Sequence, residues 1–215
     1  SADIGTLTRL PDTFEEIESI ASELSQTPSD VIFTGKKASE QQVKSMQLDN
    51  RKIVMFATHA LVPGDLDGLH QPALALSAPE VTGDPGDGLL TMEEVLHLKL
   101  DADWVVLSAC NTGAAEEAGA EALSGLGQAF FYAGTKAILV TMWPVETTSA
   151  KILTTGLFRF QKNDANMTRA QALRKSILDL IDNQKIVDAT TNEIIASYAH
   201  PLFWAPFVIV GNGGS

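Results

Sequence analysis

Short β-branched apolar runs alternate with amphipathic stretches along most of the 215 residues, and this alternation restricts the fold more than any other feature of the chain. The runs at 31–33, 52–57, 104–108, 137–142 and 207–210 are almost wholly apolar, as strands covered on both faces are. Helix start signals stand between them. Asp12-x-x-Glu15, Ser39-x-x-Gln42, Thr91-x-x-Glu94 and Thr168-x-x-Gln171 all have the capping-box spacing. Residues 121–134 carry Leu123, Leu126, Phe130 and Ala133 on one helical face. Residues 168–182 do the same with Ala172, Leu173, Ile177, Leu180 and Ile181. The order predicts an α/β fold with a mostly parallel sheet. The Pro- and Gly-rich stretch 61–90 predicts an excursion from the sheet edge, with a short strand within 72–78. A second loop, 111–119, is small and acidic, and the end at 211–215 is expected to be a loose tail. With no repeat and no linker, residues 1–215 read as a single domain.

Charge and cysteine content exclude whole classes of function. Fifteen basic residues against 27 acidic ones give a net charge of -12, which argues against direct nucleic-acid binding and against an anionic membrane surface. The same excess of acid attracts basic peptides. The single cysteine, Cys110, rules out an internal disulfide and any cysteine-based metal cluster, and it suits a cytoplasmic setting. No apolar window is long enough for a spanning helix, and the start has no signal-peptide pattern. No metal or cofactor is expected. The histidines form no close pair, and Gly125, Gly127 and Gly134 do not follow a strand in the dinucleotide pattern.

In an open parallel sheet, ligands bind beyond the carboxyl ends of the strands. His59 lies just past the run 52–57, and Cys110 just past the run 104–108. If these strands are parallel neighbours, both residues emerge on one edge, where a thiol beside an imidazole forms a nucleophilic thiolate. The turn Asn111-Thr112-Gly113 leaves backbone N–H groups free for an oxyanion. The plain alternative is a core thiol and an unrelated histidine, because free cysteines are among the most buried residues. A separation of 51 residues between His59 and Cys110 matches the caspase spacing but does not decide between the two.

The wider wording is more specific. Phe56-Ala-Thr-His-Ala, Ser108-Ala-Cys-Asn-Thr-Gly, Ala122-Leu-Ser-Gly-Leu-Gly-Gln-Ala-Phe-Phe-Tyr-Ala-Gly-Thr-Lys, Val140-Thr-Met-Trp-Pro-Val-Glu and His200-Pro-Leu-Phe-Trp-Ala-Pro-Phe-Val-Ile-Val-Gly follow in that order. This series resembles the CHAT domain, a bacterial relative of caspases and separases, over roughly residues 10–212. The resemblance implies a caspase-like three-layer α/β sandwich, its mostly parallel central sheet flanked by helices, with a His–Cys dyad. His59 maps to the family histidine and Cys110 to the nucleophile, with backbone N–H groups of Ala60 and Cys110 holding the oxyanion. Where the family often has Gly after the histidine, this chain has Ala60. The chain opens on Ser and lacks the upstream strand and helix segments usual in the family, so it is expected to be the catalytic portion of a larger protein. The implied partners are a protein or peptide substrate and a regulatory partner or attached repeat domain.

By the same resemblance, the pocket for the residue before the cut is floored by Trp143, Pro144, Val145 and Glu146 and lined by Ser108. Glu146, or Asp65 and Asp67 beyond His59, would meet a basic side chain. Each has a structural alternative: Glu146 as a helix start, Asp65 and Asp67 as turn formers, and Ser108 as a strand-end hydroxyl. Three functions compete. They are a regulated cysteine endopeptidase, a catalytically silent CHAT-like scaffold that binds a partner, and a small-molecule hydrolase or transferase using the same thiol.

Overall fold

A computed structural model of the chain describes residues 3–108, 117–143, 145–187, 190–191 and 193–214. Four strands form the main sheet: β1 (Ile53–Phe56), β5 (Trp104–Leu107), β6 (Ala137–Thr141) and β9 (Phe207–Gly211), in the order β1-β5-β6-β9. The first three are parallel, and β9 closes the far edge antiparallel to β6. These are four of the five strands expected from the apolar runs. The fifth, at 31–33, does not form. Pro28 opens the short helix α2 (Pro28–Val31) there, because its fixed φ suits a first helical position, and the chain then runs extended and unpaired.

The alternation of side chains across β5 builds two cores. Val105 and Leu107 point to one face, where Phe56 and Ile138 meet Leu126, Ala129 and Phe130 of α6 (Glu117–Ala133) and Val95 of α5 (Met92–Leu96). Trp104 and Val106 point to the other face. There Ala137 and Leu139 pack on Leu153, Leu157 and Phe158 of α7 (Thr147–Asn163), on Ala172 and Leu180 of α8 (Arg169–Asn183), and on Ile20 of α1 (Asp12–Glu23). Helices on both faces of a mostly parallel sheet make the expected three-layer arrangement.

The stretch 61–90 does leave the sheet edge, and it forms a second, antiparallel sheet. Strands β2 (Ala60–Leu61), β3 (Ala73–Ala75) and β4 (Leu89–Thr91) pair in sequence order, with α4 (Pro79–Thr82) between β3 and β4. A hairpin of β7 (Lys185–Val187) and β8 (Ile194–Ser197) follows α8.

Two of the four helix-start signals form complete capping boxes, at Thr91 and Thr168. Ser39 accepts the Gln42 N–H and opens α3 (Glu40–Ser45). Asp12 is not a cap: α1 is capped by Pro11 without a side-chain bond, and Asp12 sits in the first turn, where its charge favours the helix dipole. Replacing Thr168 by Ala is expected to cost about 1 kcal/mol, read as a lower urea midpoint with an unchanged slope.

Residues 212–214 are not the loose tail expected from their Gly content, and Ser215 lies outside the described residues. Arg169 Nη1 donates to the carbonyls of Asn212 (3.2 Å) and Gly214 (2.8 Å), and the Ala170 N–H donates to Gly213 (2.9 Å). The guanidinium lies over the Trp104 ring, 5.5 Å from its centroid. A buried cation thus ties residues 212–214 to the start of α8.

Candidate active site at the carboxyl edge of the sheet

Strands β1 and β5 are parallel neighbours with Phe56 opposite Leu107, so both end at the same edge of the sheet. The Ser108 N–H donates to the Phe56 carbonyl at 3.1 Å and extends the pairing by one residue. His59 stands three residues past Phe56. Cys110 stands two past Ser108 and lies outside the described residues, as does Pro144.

His59 is 7% exposed. Its Nε2 lies 2.7 Å from the Thr8 carbonyl oxygen, an acceptor, so Nε2 carries the proton and donates. The other ring nitrogen, Nδ1, is buried and has no hydrogen-bond partner among the described residues. A buried polar atom without a partner is rare and calls for an explanation. The backbone around the ring is fixed as well. The Ala75 N–H donates to the His59 carbonyl at 2.9 Å, and the Thr58 hydroxyl donates to the Ala75 carbonyl. Because antiparallel pairs alternate, Ala60 then takes the non-hydrogen-bonded position opposite Leu74, and its own N–H points away from β3.

Ser108 does more than end a strand. Its hydroxyl donates to Glu16 Oε2 at 2.6 Å, and the Thr154 hydroxyl of α7 meets Glu16 Oε1 at 2.9 Å. Glu16 is 3% exposed, and burial pushes its carboxyl above the ordinary range, against the opposing pull of the two hydroxyls. Thr8, Glu16 and Thr154 were not singled out from the sequence. Glu16 left one signal, a carboxylate four residues before Ile20 on the buried stripe of α1.

The residues expected to line the substrate pocket take several local roles. Trp143 is 39% exposed and Met142 58% exposed just past the end of β6, on the same edge of the sheet as His59. Val145 is half-buried against the α7–α8 side of the core. Glu146 caps α7: its two carboxylate oxygens accept the N–H groups of Thr148 (2.9 Å) and Ser149 (2.7 Å). Those bonds hold its carboxyl below the ordinary range despite partial burial. Asp65 Oδ2 accepts the Val62 N–H at 2.8 Å, a turn contact, and Asp67 is exposed. No group of three or more candidate metal ligands occurs among the described residues. No helix among them is long and apolar enough to cross a membrane.

The CHAT domain family model matches residues 2–212. The chain belongs to the CHAT family. That family is associated with caspase-like cysteine peptidases, and the α/β sheet and its carboxyl edge fit the association. The human Tetratricopeptide repeat protein 28 is 26% identical over 233 aligned positions, covering 94% of this chain. The CHAT chain spans about 8% of the length of that relative.

Proposed function

We propose that this chain is a cysteine endopeptidase in which Cys110 is the nucleophile and His59 the acid–base partner. The observation that carries the proposal is the ring of His59. Nε2 is committed to the Thr8 carbonyl, and Nδ1 is buried, with no partner among the described residues, at the sheet edge where β5 ends two residues short of Ala109. A ring so fixed has one nitrogen left for proton transfer. The thiolate sulfur attacks the scissile carbonyl carbon, and the carbonyl π electrons move to oxygen. The oxyanion is stabilised by backbone N–H groups, those of Ala60 and Cys110 in this proposal. The imidazolium then gives its proton to the leaving amine as the C–N bond breaks. It next takes a proton from water as water attacks the thioester, and the thiolate leaves.

The substrate is a protein or peptide, with preference for a basic residue before the cut. Ser108, Trp143, Pro144, Val145, Glu146, Asp65 and Asp67 are the candidates for reading it. The net charge of -12 favours such a substrate, and exposed Trp143 and Met142 offer an apolar wall beside it. The whole of 1–215 acts as one peptidase unit of a larger bacterial cytoplasmic protein, under control of a partner or an attached repeat domain. The repeat-protein name of the human relative supports the attached-repeat arrangement, and its source shows that similar sequences are not confined to bacteria.

The test is a panel of fluorogenic peptides that differ only in the residue before the cut. Arg and Lys peptides are expected to be cleaved fastest, and Cys110→Ala is expected to lower kcat/KM by at least about 10³-fold. Cleavage that survives Cys110→Ala overturns the proposal. No cleavage together with an inert Cys110 leaves the scaffold function standing instead.

A further inference from the structure

Glu16 is a buried carboxyl that the peptidase chemistry above does not use. It sits where α1, α7 and the end of β5 meet, bonded to one hydroxyl from each of the other two. The lysines of α7, the helix packed against α1, are engaged elsewhere. Lys151 of α7 pairs with Glu15 at 2.9 Å, and Lys162 donates to the Glu23 carbonyl and the Ser25 hydroxyl. No charged neighbour contributes to the upward shift of Glu16, which comes from burial. A buried carboxylate without a counter-ion is costly, whereas a neutral carboxyl costs far less. Thr154 Oγ1 also lies 2.9 Å from the Ala150 carbonyl and 3.4 Å from that of Lys151, so its one proton has backbone acceptors that compete with Glu16. A protonated Glu16 removes the competition, because Thr154 is then free to donate to Ala150 while its oxygen accepts from the carboxyl.

The chain leading into α1 makes a second contact with the candidate site, since the Thr8 carbonyl holds the His59 ring. Residues 8–16 therefore touch the segments that follow both β1 and β5. We propose that Glu16 is a positioning residue: through Ser108 it sets where β5 delivers the chain toward Cys110, relative to the imidazole that Thr8 holds. This rests on the dyad proposed above. It concerns placement, since Glu16 touches neither the substrate nor His59 in the proposal.

The experiment follows alkylation of Cys110 by iodoacetamide between pH 5.5 and pH 9 in the 215-residue chain. The variants are His59→Ala, Glu16→Gln, Glu16→Ala and Ser108→Ala, each checked for folding by its thermal transition. Glu16→Gln keeps an acceptor for Ser108 and a donor for Thr154, and it is expected to react within about 2-fold of wild type. Glu16→Ala and Ser108→Ala are expected to lose most of the His59-dependent advantage, about 10-fold at pH 6, while remaining folded. If Glu16→Ala does not fold, Ser108→Ala carries the test, because it removes the same bond from the strand side.

A wild type that shows no His59-dependent advantage overturns the dyad itself. An advantage that survives both Glu16→Ala and Ser108→Ala overturns only the positioning role. A Glu16→Gln variant as impaired as Glu16→Ala overturns the neutral carboxyl. The thermal transitions add a check on charge. A carboxyl raised by burial releases its proton later in the folded than in the unfolded chain, so wild type loses stability as pH rises above the ordinary glutamate range. Glu16→Gln lacks that loss, and its advantage in Tm over wild type is expected to grow from pH 5 to pH 8. The reverse trend overturns the assignment of a neutral Glu16.

Discussion

Replacing His59 by Ala is expected to slow the alkylation of Cys110 about 10-fold at pH 6, with a much smaller effect near pH 9. The size follows from two opposing terms. An unperturbed thiol with pKa about 8.5 is only about 0.3% ionised at pH 6, whereas one lowered to about 6 by an imidazolium is half ionised, a gain of about 150-fold. A thiolate of lower pKa is also a weaker nucleophile, by about 10–15-fold over the same interval. The net advantage is about 10-fold at pH 6, and it vanishes or reverses where both thiols are ionised. The pH dependence is therefore more telling than any single rate. A plain acceleration at all pH values signals better access to Cys110, and equal profiles in the two proteins signal that no dyad exists. Because Nε2 of His59 is occupied by the Thr8 carbonyl, the proposed partner for the thiol is Nδ1.

Gly134→Val is expected to destabilise the protein by about 2–6 kcal/mol, combining backbone strain of about 1–3 with steric overpacking of about 1–3. Gly134 follows α6 with φ +114°, which a β-branched residue adopts only under strain. The Thr135 N–H donates to Phe130 (3.1 Å) and the Gly134 N–H to Phe131 (3.0 Å), the paired bonds of a Schellman stop. A Cβ at this position lies 2.1 Å from the Leu100 carbonyl oxygen, and Leu100 is held there by its own N–H bond to Ala133 at 2.7 Å. Backbone meets backbone, so no side-chain rotation relieves the clash. Gly134→Ala is expected to shift stability in the same direction by less. Urea unfolding measures both, and a Val variant within about 1 kcal/mol of wild type shows that α6 and β6 rearrange around the added methyl groups.

Features that depend on residues close in the chain were legible. The runs that became β1, β5 and β6 are apolar because both faces of each are packed, and that leaves a mark in every few residues, whereas β9 at the sheet edge buries Phe207 and leaves Val208 and Val210 exposed. The capping boxes at Thr91 and Thr168 close within four residues. Those strands, taken as parallel neighbours, already put the segments of His59 and Cys110 on one edge. The local rule failed at 31–33, where Pro28 outweighed the β-branched residues after it. It was silent on β2, which has two residues, and on β8, whose four residues are all exposed and show no alternation.

The partners that shape the candidate site lie far off in the sequence. Thr8 and His59 are 51 positions apart, Glu16 and Ser108 92, and Glu16 and Thr154 138. Glu146 and Asp65 illustrate the converse. Both are acids beside the expected pocket, and in the folded chain both are bonded to nearby backbone N–H groups. Apolar patterning is repeated along the chain and survives the loss of any one residue. A buried hydrogen bond depends on two particular atoms meeting, which no window of sequence contains. The sequence by itself therefore determined the layered α/β frame, the CHAT relationship and the strand, β1, that carries the chain to His59. Only the tertiary structure decided which nitrogen of His59 is held, what holds it, and that a buried carboxyl stands behind Ser108.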